Sequence, residues 1–151
     1  MTSSVAYCLL ISAATAVVVL SATSPSILGD SNEFLKGFVN HELLNILGVI
    51  IAITIASTAQ IHLNFNQLEE KYQKRGFQRA RAGVQRAAYV LVWLFVLGVL
   101  VVVSKPLMAR EEWVQSIFNG SALIILLWNL LILVSLTQGV FAIKSDVKDD
   151  G

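Results

Sequence analysis

Charge is missing from the start of this sequence: no Asp, Glu, Lys or Arg precedes Asp30. Over all 151 residues only 14% are charged, where soluble domains carry about 25%. Cysteine is nearly absent as well. Cys8 stands alone, which excludes an intrachain disulfide and leaves the redox compartment unread. It also excludes paired-cysteine redox chemistry within one chain. Proline occurs only at Pro25 and Pro106, so long stretches run without a helix breaker. No Ser–His–Asp set, HExxH, CxxC or glycine-rich phosphate loop occurs. The net charge of +1 gives no case for nucleic acid. These absences lead to the expectation of a protein without enzymatic activity, cofactor or metal.

What is present is apolar. Hydrophobic residues make up 56% of the chain, with a mean hydropathy of +0.70. About 20 apolar residues at 1.5 Å rise cross a hydrocarbon core of about 30 Å. Four runs reach that length, at about 5–24, 43–66, 87–104 and 120–143. They are apolar on all sides, whereas a membrane barrel needs alternating polarity. The fold expected is all-α: a polytopic, four-transmembrane-helix bundle forming a single domain over 1–151.

Charge orients the bundle. Four spans place both termini and the loop between spans 2 and 3 on one side. That side holds Lys71, Lys74, Arg75, Arg79, Arg81, Arg86, Lys144 and Lys148, and the other holds Lys36, Lys105 and Arg110. Lys and Arg collect in the cytoplasm, so the N and C termini are expected there. A rival reading makes span 1 a cleaved signal peptide ending near Ser21-Ala22. The lack of a basic residue in Met1 to Ser4 argues against it. The small size and short loops suggest a bacterial inner membrane.

Between the spans the pattern predicts shorter elements. Small residues in span 1 place it inside the bundle, and Ser24-Pro25-Ser26 ends it. Asp30 or Ser31 is expected to cap a short interfacial helix that runs straight into span 2. Pro106 to Phe118 reads as a second interfacial helix, with Trp113 in the headgroup region and Asn119-Gly120-Ser121 restarting the chain as span 4. Span 3 looks the most lipid-exposed. Residues 67–86 predict a cytoplasmic helical hairpin turning at Arg75-Gly76, with Ala80, Gly83 and Ala87 as a small face between its arms. Residues 144–151 form a short charged tail, expected to fray.

Span 2 carries the functional candidates. Gly48, Ala52 and Ala56 form a small-xxx-small face for close helix packing, since lipid offers no hydrophobic drive for association. Asn45, Ser57, Gln60 and Asn64 lie along the broadened polar face, and Asn129 is the deepest polar residue of span 4. These five are candidates for polar contacts or a pore lining. Thr15 and Thr54 lie at the depth of Asn129 and can bond their own backbone carbonyls. No Asp, Glu, Lys or Arg lies inside a span, which removes the usual signature of proton- or ion-coupled transport. His41 and His62 are 21 residues apart on one helix, about 31 Å, too far to share a metal.

Lys71, Lys74, Arg75, Arg79, Arg81 and Arg86 are expected to meet anionic lipid headgroups or a cytoplasmic protein partner. The function expected is that of a small membrane protein acting through homo-oligomerisation or as a membrane subunit docking such a partner. A homo-oligomeric pore or membrane-perturbing effector is the alternative, and a carrier for a neutral solute ranks below both.

Overall fold

The computed structural model describes residues 3–72 and 78–149, with side chains described except at 3, 64, 68–72, 78–80 and 139–149. The elements are α1 (Ser3–Thr23), α2 (Pro25–Leu28), α3 (Glu33–Phe38), α4 (His41–Tyr72), α5 (Gln78–Met108) and α6 (Glu112–Asp149). No strand occurs among the described residues. Four helices, α1, α4, α5 and α6, are long and apolar enough to cross a membrane.

α4, α5 and α6 pack on one another in a triangle, and α1 lies along the outer flank of α6. The apolar core joins Val39, Leu43 and Leu47 to Leu94 of α5 and Ala122 and Ile125 of α6. It fills one half of the bundle only. Two glycines bring the helices close there. A methyl at Gly98 would meet Leu47 Cδ1 at 2.7 Å, and one at Gly120 would overlap Val17 Cγ1 of α1. Gly98 thus fits α5 to α4, and Gly120 fits α1 to α6.

The burial of the helices differs from the sequence expectation. Only 6% of the apolar stretch of α1 is buried, against 17% in α5 and 28% in α6. The first helix is the peripheral one, not the third. Small side chains allow close approach but do not compel it: Ala16 and Ser12 face outward, while α5 is anchored through Leu91, Leu94 and Gly98.

The short elements also differ. α5 continues through Pro106 to Met108, the chain breaks at 109–111, and α6 then runs unbroken from Glu112 to Asp149. There is no separate helix from Pro106 to Phe118 and no restart at Asn119. Pro106 sits in the last turn of α5, where it denies Val102 O its helical N–H partner, and the helix ends two residues later at Met108. Both short helices, α2 and α3, fall between the first two long ones. Pro25 opens α2, a position where its missing N–H costs nothing. α3 does not run straight into α4: the chain turns at Val39–Asn40, and Asn40 Oδ1 accepts from Glu42 N at 2.8 Å. Residues 144–149 continue α6.

Candidate functional site

The polar residues gather at two places. The first is the end built from residues 21–31, the end of α5 and the start of α6. Asp30 Oδ1 pairs with Lys105 Nζ at 2.7 Å, and Lys105 is buried. Asn119, fully buried, donates from Nδ2 to Leu28 O at 2.7 Å and to Asp30 Oδ1 at 3.1 Å. The Asp30 N–H donates to Gln115 Oε1 at 3.2 Å, and Gln115 Nε2 donates to Ala109 O at 3.3 Å. Ser21 and Ser116 share a buried bond of 2.8 Å, and the Ser31 hydroxyl donates to Glu112. These bonds fasten α1, the 24–32 segment, α5 and α6 to one another. We call this the tied end.

Burial raises the affinity of the Asp30 carboxyl for a proton. The hydrogen bonds from Lys105 and Asn119, with the charges of Lys105 and Lys36, outweigh that effect together and hold it below the ordinary carboxylate range. An ion pair this enclosed fixes geometry. Losing one partner leaves a buried charge uncompensated, which is costly.

The tied end explains why the expected caps are elsewhere. Asp30 is taken up by Lys105 and Ser31 by Glu112, so neither caps α3. Asn32 does, with Oδ1 accepting from Phe34 N at 3.1 Å and Leu35 N at 3.4 Å. Asn119 likewise spends its side chain on Leu28 and Asp30 from within α6, so it starts no helix.

The second place is the outward side of α4, from Asn45 to Gln60. Ala52 and Ala56 are exposed, and so are Asn45, Ser57 and Gln60. Gly48 lies at the seam with α5, where a methyl would meet Phe95 Cε2 at 4.0 Å, ordinary contact. Ala52 and Ala56 are therefore not covered by their own chain, while Gly48 packs at the seam. Thr54 is buried and bonds Ile50 O at 2.7 Å; Thr15 bonds Ile11 O at 2.9 Å. Asn129 is fully buried and donates to Ile125 O at 2.8 Å within its own helix. Its Oδ1 has no hydrogen-bond partner.

Beyond these residues α4 and α5 continue side by side. Arg81 donates from a terminal guanidinium nitrogen to Asn66 Oδ1 at 2.7 Å. A cleft of about 460 Å³ opens between the two helices, lined by Ile55, Ala59, His62, Arg81, Val84 and Gln85 among others. Arg86 is exposed. Nothing lies within 4 Å of a methyl placed on Gly83, so this glycine does not draw the arms together. The turn at Arg75-Gly76 and the side chains of Asn64, Lys71, Lys74, Arg79 and Ala80 lie outside the described residues.

His41 and His62 are both exposed on α4, and Cys8 is exposed on α1. Among the described residues no three His, Cys, Asp or Glu side chains converge as metal ligands would. Sequence reasoning missed the tied end altogether. Its only signal was a lone acid, Asp30, and a lone lysine, Lys105, on the same side of the expected membrane. No protein-family model, curated protein or solved structure matches this chain.

Proposed function

We propose that this chain is a non-enzymatic integral membrane protein that acts by assembly, with its four long helices spanning a bacterial inner membrane and both termini in the cytoplasm. Large apolar side chains cover the outside of all four helices, including Ile11, Val18, Ile53, Leu100 and Val134. Such a surface belongs in lipid or against other helices. The positive-inside bias supports the orientation. It sets the tied end outside and the α4–α5 extension with its Lys and Arg residues inside. There those residues meet anionic headgroups or a cytoplasmic partner.

The observation that carries assembly is the exposure of Ala52 and Ala56 on α4. Small residues facing outward let a second helix approach closely, where packing drives association in lipid. Native mass spectrometry of the protein released from lipid nanodiscs tests this. Several copies per particle are expected, reduced to one by Ala52→Leu with Ala56→Leu at unchanged helix content. A single copy of the unaltered chain would overturn self-assembly and turn the search to a different subunit.

A pore is the second reading, favoured by the exposure of Ser57 and Gln60 on the same helix. Arranged about a symmetry axis these would ring an inner vestibule. Unitary currents in planar bilayers, altered by Gln60→Leu, are then expected. Silence at all voltages contradicts it.

A further inference from the structure

We propose that α4 pairs with α4 of a second copy of this chain, as a parallel, left-handed coiled coil about a two-fold axis along the membrane normal. The proposal rests on the assembly reading above and deepens it by naming the partner and the register of the contact.

The exposed surface of α4 has a centre line that repeats every seven residues. Asn45, Ala52, Ala59 and Asn66 fall at one position of the repeat, and Val49, Ala56 and Leu63 at a second, so that the steps alternate between four and three residues. Every one of them is exposed, Val49 at 59% and Leu63 at 60%. The line lies opposite Leu43, Leu47, Ile50 and Thr54, through which the same helix is buried in its own bundle. A seam with a mean spacing of 3.5 residues stays in contact along two helices when they wind left-handedly about each other. The four-residue spacing through Gly48, Ala52 and Ala56 would favour a right-handed crossing instead. Gly48 is not open to such a contact, because it lies at the seam with α5, where a methyl would meet Phe95 Cε2 at 4.0 Å.

Three features fit a second copy better than lipid. The first is shape. Ala52, Ala56 and Ala59 run between the larger, exposed Ile53 and Ile55. A helix with the same small residues approaches closely there, and the packing gained is what drives association in lipid. The second is polarity at the ends. Asn45 and Asn66 are 21 residues apart, about 31 Å along the helix, which spans the hydrocarbon core of about 30 Å. The contact thus runs the full depth of the membrane, with an amide at each edge. An amide carries both a donor and an acceptor, so it can bond the same residue of a second copy. Asn66 accepts from Arg81 through Oδ1 at 2.7 Å, and it donates across the axis through Nδ2. A slide of one heptad would set an Asn against an Ala, so the amides fix the register. The third is charge. No Asp, Glu, Lys or Arg occurs from Leu43 to Leu68, so no like charges oppose two copies along the seam. Both copies insert in the same direction, which makes the pair parallel.

The test places single cysteines along α4 of the full chain on a Cys8→Ser background, in lipid vesicles. Oxidation with copper phenanthroline then links copies whose β-carbons approach to about 4 Å. Disulfide-linked dimer is expected for Val49→Cys, Ala52→Cys, Ala56→Cys, Ala59→Cys and Leu63→Cys, and is expected to be lost for Ile53→Cys and Ser57→Cys. Adding Ala56→Leu should abolish the link through Leu63→Cys, whereas adding Ser57→Leu should leave it, both at unchanged helix content. Links at Ile53→Cys and Ser57→Cys as complete as at Ala52→Cys, or maxima at every fourth residue from Gly48, would overturn the seam and leave the assembly reading standing. No link at any position has the same meaning if native mass spectrometry still finds more than one copy. No link together with single copies would overturn both.

Discussion

The two halves of this bundle are built from the same kind of helix and held in different ways. At the tied end, buried Leu43 and Leu47 meet α5 and α6, Gly98 and Gly120 close the helix gaps, and Asp30, Lys105 and Asn119 bind the connecting segment. At the other end Ala56, Gln60, His62 and Leu63 are exposed along α4, and a cleft parts it from α5. The difference teaches where stability and where recognition reside. Buried polar networks fix one arrangement, and in this one Asp30, Lys105 and Asn119 Nδ2 are partnered while Asn119 Oδ1 is not. Exposed small and polar faces leave surface for lipid or another chain.

The comparison breaks most severely if the tie is cut. Asp30→Asn leaves the buried Lys105 ammonium without its counter-charge, and a loss of about 3–5 kcal/mol is expected in unfolding from detergent micelles. Combining it with Lys105→Met should recover most of that loss, because no buried charge remains. The pair also carries a pH signature. The folded Asp30 carboxyl titrates below its ordinary value of 3.8, so its stabilisation is complete above that pH. It is lost as pH falls through the folded value. Below pH 3.8 the melting temperature of the unaltered protein should drop more steeply than that of the double variant.

Glycine substitutions sharpen the contrast at smaller scale. Gly120→Ala drives a methyl into the β-branched Val17, and about 1–3 kcal/mol of destabilisation is expected as α1 is pushed from α6. Thermal unfolding with protease sensitivity of α1 reads both effects. Gly83→Ala, in the interior of α5 with nothing within 4 Å, should instead stabilise by about 0.5–1 kcal/mol through helix propensity. The same change thus has opposite signs at the two ends.

How much of this was legible in the sequence follows from the range of each interaction. The long helices were readable because an apolar run is local, and their four stretches fall within α1, α4, α5 and α6. The break at Pro25 was readable for the same reason. The tied end was not. Asp30 and Lys105 are far apart in the chain, and pairing them requires knowing which helices adjoin. That ignorance caused the other errors. Asp30, Ser31 and Asn119 have the composition of caps, and tertiary partners claimed them first. Gly120 resembles a turn residue but lies where α1 approaches α6 closely, against Val17. The small face of α4 was legible as a face; its exposure required the structure, because nothing in Gly48, Ala52 or Ala56 says whether the neighbour is its own chain.

The contrast between a fastened and a less constrained end is tested most directly by spin-label distance distributions in lipid vesicles, on a Cys8→Ser background. One label pair at Gly37 and Arg110 reports the tied end, and one at Leu63 and Thr137 reports the opposite half. A narrow distribution is expected for the first pair and a broader one for the second, with Lys105→Met widening only the first. Equal widths for the two pairs, or a first distribution unchanged by Lys105→Met, would contradict the claim that the Asp30–Lys105 network is what fastens this bundle.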